Sequence, residues 1–138
     1  MPDHKTKTLS VPTRSRSQMV DITRLVEKSL PDISSGYVIV YVPHTTAGIT
    51  IQESADPDVQ HDLLKKLDAL VPKHETYYRH AEGNSDSHLK TAIVGSSVMV
   101  LIEDGRVVLG RWQGIYLCEF DGPRDRQVIV KPVSTAAA

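Results

Sequence analysis

GYVIVYVP, residues 36–43, decides the fold. It is a continuous apolar run of β-branched and aromatic residues closed by a proline. It is too short for an ordinary helix and made of the side chains that suit a pleated surface. Apolar at both alternating sets of positions, it reads as a strand covered on both faces.

Downstream, a turn around His44 leads into AGITIQES (47–54), where Ile49 and Ile51 alternate with Thr50 and Gln52 as in a second strand. ADPDVQHDLLKKLDALVP (55–72) then starts a helix: Asp56 caps, Pro57 suits the first helical position, and Val59, Leu63, Leu67 and Leu70 form one stripe. The pattern dissolves after Pro72. From His88, HLKTAIVG reads as a short helix capped by Ser87 or Asp86 and ended by Gly95. SSVMVLIEDGRVVLG (96–110) reads as a hairpin turning at Asp104-Gly105, and QGIYLCEF with RQVIVKPV as a second pair joined through DGPRD. Upstream, HKTKTLSV (4–11) alternates loosely as an edge strand. Lys5, Lys7, Arg14 and Arg16 outnumber Asp3 there, an excess that guards such an edge. MVDITRLVEKSL (19–30) reads as a helix capped by Asp21, with Ile22, Leu25, Val26 and Leu30 at helical spacing and Pro31 as the stop. The expected architecture is α+β: two main helices and a short third on a largely antiparallel sheet of about seven strands, in one domain over 1–138 with a frayed tail at 134–138.

Composition agrees with a folded single domain. The 138 residues are 40% hydrophobic and 24% charged, and the formal net charge of −1 nominates neither nucleic acid nor an anionic membrane as partner. No apolar run approaches the roughly 18–20 residues of a membrane span, and one cysteine, Cys118, cannot make an internal disulfide. A reducing cytoplasm is the expected compartment. Phosphate-binding glycine loops, nucleophile elbows, HExxH and CxxC are all missing.

Chemistry concentrates in RHAEGNSDSHLK (79–90), where His80 and His88 bracket a polar segment, and at His44, on the rim of the GYVIVYVP strand. Imidazoles so placed suit a borderline metal, acid–base work or a solvated loop. Glu53, Glu82 and Asp86 lie near these histidines in sequence and could orient a ligand ring or act as general base. Asp56 reads as a cap, and His4, His61 and His74 as surface residues. In GRWQGIYLCEFDGPRDR (110–126), Arg124 could fork onto an anion, whereas Arg126 reads as facing water. Cys118 reads as facing a core or an interface.

Four segments together carry a resemblance: HTTAGITIQE (44–53), the DP…HDLL run (56–64), HAEGNSDSHLK (80–90) and GRWQGIYLCEFDGPR (110–124). They resemble the YjbQ-like family, also labelled the secondary thiamine-phosphate synthase family, over roughly residues 4 to 133. The resemblance implies a compact α+β homotrimer with a polar, often metal-holding site near the subunit interfaces. It implies His44, His80 and His88 as ligands of a divalent metal, with zinc expected. It marks Glu82, Glu53 and Asp86 as catalytic candidates. Arg124, Asn84, Gln113, Trp112 and Lys90 become candidate contacts for a small anionic substrate. The activity it implies joins an aminopyrimidine pyrophosphate to a thiazole phosphate and releases pyrophosphate. Histidine-rich ligation suits zinc, whereas pyrophosphate chemistry usually employs oxygen-bound magnesium. Metal-independent proton transfer and a non-enzymatic, metabolite-binding trimer are the alternatives. In the assembly, strand surface bearing Trp112, Tyr116 and Cys118 is expected to be buried between chains.

Overall fold

The computed structural model describes residues 5–136, so His4 lies outside the described residues. In chain order the elements are β1 (Lys7–Pro12), β2 (Gln18–Asp21), α1 (Thr23–Ser29), β3 (Ser35–Tyr41), β4 (Ala47–Glu53), α2 (Pro57–Leu70), α3 (Ser85–Val94), β5 (Ser97–Glu103), β6 (Arg106–Val107), β7 (Gln113–Glu119) and β8 (Asp125–Ser134). The α+β reading of one domain holds, but the strands form two antiparallel sheets rather than one: β1-β8-β3-β5-β6 and β2-β7-β4.

The core lies between the sheets. Val38 and Val40 of β3, Val100 and Ile102 of β5 and Val128 and Val130 of β8 meet Ile49 of β4 and Ile115 and Leu117 of β7, with Ile22 and Val26 of the α1 segment closing one side. Each such side chain contributes roughly 1.5–3 kcal/mol by leaving water.

Two strand expectations change for one reason. QGIYLCEF and RQVIVKPV do not pair with each other: β7 pairs with β2 and β4, and β8 with β1 and β3. Both carry core-facing apolar sets, and both sets are satisfied when the strands lie in opposite sheets. The crossing is tight. The amide of Gly122 donates to the carbonyl of Arg16 at 3.0 Å, and a Cβ on Gly122 would meet the carbonyl oxygen of Ser15 at 2.2 Å.

The strand covered on both faces is β7, where Gly114 through Glu119 are all buried. Its outer side looks toward leucines of α2 and toward Ile93 and Val94 of α3. In β3 only the inner set is buried; Ile39 and Tyr41 point to the open face.

Helix ends follow local chemistry where the sequence supplies it. Asp56 accepts from the amide of Asp58 at 2.9 Å with Pro57 in the first turn, as read. Met19 and Val20 of the segment read as helix lie in β2, and α1 begins at Thr23 with Ile22 at the N-cap position; Asp21, read as the cap, accepts from the amide of Thr23 at 3.0 Å. The third helix starts at Ser85, three residues earlier than read, with Asn84 as its N-cap and Gly95, at φ 100°, ending it. At the other end of the chain β8 continues to Ser134, and the amide of Thr135 donates to the carbonyl of Ser35 at 3.0 Å. Residues 137–138 of the expected tail lie outside the described residues.

Candidate functional site

Three connections meet at one end of the sandwich: the turn from β3 into β4, the segment from α2 into α3, and the DGPR crossing from β7 to β8. Together they enclose a cavity of about 710 Å³. His44, distant in sequence from His80 and His88, lines it with both of them, as do Glu82, Asn84, Asp121, Arg124 and Arg126.

His44 is held by backbone. Its Nε2 accepts from the amide of Gln127 on β8 at 2.9 Å, which leaves the ring proton of the neutral form on Nδ1. Burial lowers its pKa, helped by the positive charges of Arg126 and Arg124, while Glu119 opposes. Four residues on, Gly48 lets the end of α3 approach β4: a Cβ there would meet the carbonyl oxygen of Gly95 at 2.6 Å. That contact helps fix α3, and with it His88, beside the His44 turn. The His80 and His88 rings meet edge to face with centroids 5.2 Å apart, and Nε2 of His80 stands 3.9 Å from a carboxylate oxygen of Glu82.

The opposite wall is a polar chain. Asn84 donates to Asp121 at 2.8 Å, and Arg124 donates to the same carboxylate through Nη2 at 3.0 Å and to the Asp121 carbonyl through Nε at 2.9 Å. Burial alone would push the Asp121 carboxyl up; these hydrogen bonds and the Arg124 charge outweigh it and hold the group below the usual range. Asn84 is only 6% exposed, and its Oδ1 is buried with no partner among the described residues. Such an atom is normally satisfied.

Behind this wall Arg126 is buried, which corrects its reading as a solvent-facing residue. It donates through Nε to the fully buried Glu119 at 2.8 Å, through Nη2 to the second Glu119 oxygen, and to the hydroxyl of Thr46 at 2.9 Å. Glu119 also accepts from the Thr13 hydroxyl at 2.7 Å and from the amide of Asp121 at 3.0 Å. Asp121 and the Glu119–Arg126 pair escaped the reading; the signal available was the cluster of charges around a Gly-Pro turn.

Other candidates lie elsewhere. Asp86 and Lys90 are fully buried away from the cavity: Arg16 takes both Asp86 oxygens, and Lys90 donates to Asp86 at 3.2 Å and to Asp68 at 2.6 Å. Glu53, Trp112 and Gln113 occupy the far end of the three-stranded sheet. There Glu53 registers with Gln113, about 20 Å from the His44 turn at ordinary strand rise. Trp112 is half exposed with the Arg111 guanidinium 4.7 Å over its ring. Tyr116 and Cys118, expected between chains, are buried within this one.

The imidazoles of the cavity are suitable metal donors, yet among the described residues no three of His, Cys, Asp or Glu stand close enough to hold an ion. The Nε2 of His44 is already engaged by Gln127. As placed, the rings share a cavity without forming a coordination site.

The chain matches the family described as UPF0047 protein YjbQ-like over residues 7–135. It belongs to the YjbQ family. It is 52% identical over 127 residues to UPF0047 protein YugU of Bacillus subtilis, spanning 91% of this chain and 96% of that one. A crystal structure of a YjbQ/UPF0047 protein from Clostridium acetobutylicum superposes with a TM-score of 0.89 at 50% identity, covering 92% of this chain and 99% of the other. A conserved protein of Thermus thermophilus gives 0.87 at 49% identity, covering 92% and 99%. These matches carry the YjbQ fold and not the thiamine-phosphate label, and YjbQ membership by itself names no reaction. No helix among the described residues is long and apolar enough to cross a membrane.

Proposed function

We propose that this YjbQ protein is an enzyme that binds a small phosphorylated or otherwise anionic substrate in the His44 cavity and exchanges protons with it through the imidazoles. One observation carries the reading: histidines from two separated segments, the His44 turn and residues 80–88, line a single cavity together with Arg124. Arg124 spends Nε and Nη2 on Asp121, and Nη1 remains for an anion. His80 and His88 serve as the proton-transfer pair, with Glu82 beside His80 as its partner. Neutral His44 offers its Nδ1 proton to a substrate oxygen.

The test is calorimetric titration with inorganic phosphate and pyrophosphate. The wild type should bind at least one of them, and His44→Ala and Arg124→Ala should each weaken that binding by about tenfold, the loss of one charge-assisted or neutral hydrogen bond. No binding to the wild type overturns the reading. The reaction attached to the resemblance falls in the same class, because both of its substrates are organic phosphates. An assay for thiamine phosphate formation from them decides it.

A second reading adds zinc, favoured by the count of imidazoles on one cavity, since catalytic zinc takes three protein ligands and one open position. The rings would have to close and His44 would have to bind through Nδ1 or release Gln127. Stoichiometric zinc in untagged protein, lost in His80→Ala and His88→Ala, supports it; its absence, with activity intact after chelation, rejects it. A ligand retained without turnover would favour a non-enzymatic binding protein instead.

We further infer a homotrimer: the open apolar face of β3 and β5 supports association between copies, and the number three is what the resemblance implies. A reducing cytoplasm suits its single, unpaired thiol.

A further inference from the structure

His80 and His88 have a second exposure. Besides the polar cavity they line a groove of about 510 Å³, mostly apolar, whose remaining walls are Tyr77, Tyr78, Arg79, Ser85 and Leu89. The two rings therefore stand as a shared partition between a polar and an apolar space.

The groove has a built wall. Tyr77 and Tyr78 meet edge to face with centroids 5.3 Å apart, and the Tyr78 hydroxyl donates to the carbonyl of Pro72 at 2.8 Å, which fixes that ring. Tyr77 is nonetheless 71% exposed and Leu89 44% exposed, apolar surface left facing water beside a site of fixed charges. Small-molecule sites combine largely apolar walls with a few placed polar groups. The cavity has the polar groups and the groove has the apolar walls; only together do they make that composition.

We propose that the substrate has two parts: an anionic group in the cavity at His44 and Arg124, and an apolar carbon group, aryl or short alkyl, in the tyrosine groove. The bond between them crosses the partition, within reach of His80 and His88. The occupant of the groove is the carbon part of the same molecule, because the groove shares both imidazoles with the anion cavity. This rests on the reading of the cavity given above and extends it to a class of substrate, the phosphate ester with a hydrophobic group.

The experiment titrates the full chain with inorganic phosphate, methyl phosphate and phenyl phosphate in a calorimeter. Phenyl phosphate should bind about tenfold more tightly than methyl phosphate, the effect of covering roughly 60 Å² of apolar surface. In Leu89→Ser and Tyr77→Ser, both at solvent-exposed positions, that ratio should fall toward one in variants whose folding is checked by circular dichroism. Equal affinities for the two esters in the wild type, or a ratio unchanged in both variants, overturns the proposal while leaving the anion cavity standing. If light scattering shows that Leu89→Ser takes an assembly apart, the groove is an interface between copies and the proposal fails. If none of the three probes binds, the anion cavity fails and this extension with it.

Discussion

Arg16 grips the fully buried carboxylate of Asp86 with two hydrogen bonds of 3.0 Å, tying the loop between β1 and β2 to the first turn of α3. Lys90, one turn further along, closes on the same carboxylate at 3.2 Å and reaches Asp68 of α2 at 2.6 Å. Burial would raise the Asp86 pKa, but the two cations prevail and lower it.

The first prediction follows from removing that carboxylate. Asp86→Ala leaves Lys90 with Asp68 alone and the part-exposed Arg16 without its carboxylate, so unfolding free energy should fall by about 3 kcal/mol in urea denaturation, the low end for breaking a buried pair. Phosphate affinity per folded molecule should hold, because Asp86 does not line the cavity. Loss of binding in a variant that is still fully folded would return Asp86 to the site.

Acid should act in two stages. Below about pH 6.5 the unfolded chain protonates His44, which the native state resists through burial and the nearby Arg126 and Arg124. The native pKa lies under the unfolded one, so stability is lost as pH falls through that window. Asp86, Glu119 and Asp121 follow. Each is pushed up by burial and pulled down further by its hydrogen-bond partners and neighbouring cations. Their stabilisation is complete above the unfolded carboxyl values of about 4 and disappears as pH drops toward the native ones. Urea midpoints measured from pH 8 to pH 3 should show both declines, and His44→Gln should remove the upper one alone.

What the sequence made legible was local. Asp56-Pro57 announces α2, Ile49 and Ile51 announce β4, and Asp104-Gly105 marks the β5–β6 turn, because each depends on neighbours within a few residues. The division into two sheets was not legible, since QGIYLCEF and RQVIVKPV are equally apolar whether they pair with each other or face across a core. At the site, residue types singled out His44, His80 and His88, and the fold does bring them to one cavity. Asp86 and Lys90 misled for the opposite reason. Charges in a polar segment read as solvated or reactive, and only tertiary packing encloses them.

Cys118 should be inert in the native protein. It is 3% exposed, and burial pushes its thiol up to about 12, so almost no thiolate exists at neutral pH. A colorimetric disulfide reagent should label it only after denaturant is added. Stoichiometric labelling within the mixing time, under native conditions, contradicts this.

The last prediction concerns the outer face of the five-stranded sheet. Ile39 of β3 registers with Met99 of β5, and Tyr37 with Leu101, so their side chains share one surface with Tyr41. Met99 is 62% exposed and Leu101 56% exposed, whereas a chain that stays single rarely leaves so continuous an apolar patch in water. Tyr41 also lines the His44 cavity, so a copy seated on this face would reach the site's edge. Light scattering at micromolar concentration should give three times the chain mass. Met99→Lys and Ile39→Lys should bring it down toward one chain without unfolding the protein, since both positions are open in the single chain. A monomeric wild type would refute the trimer. A trimer indifferent to both substitutions would move the interface to another surface, and the half-exposed Trp112 at the far end of the other sheet would then be the next position to change.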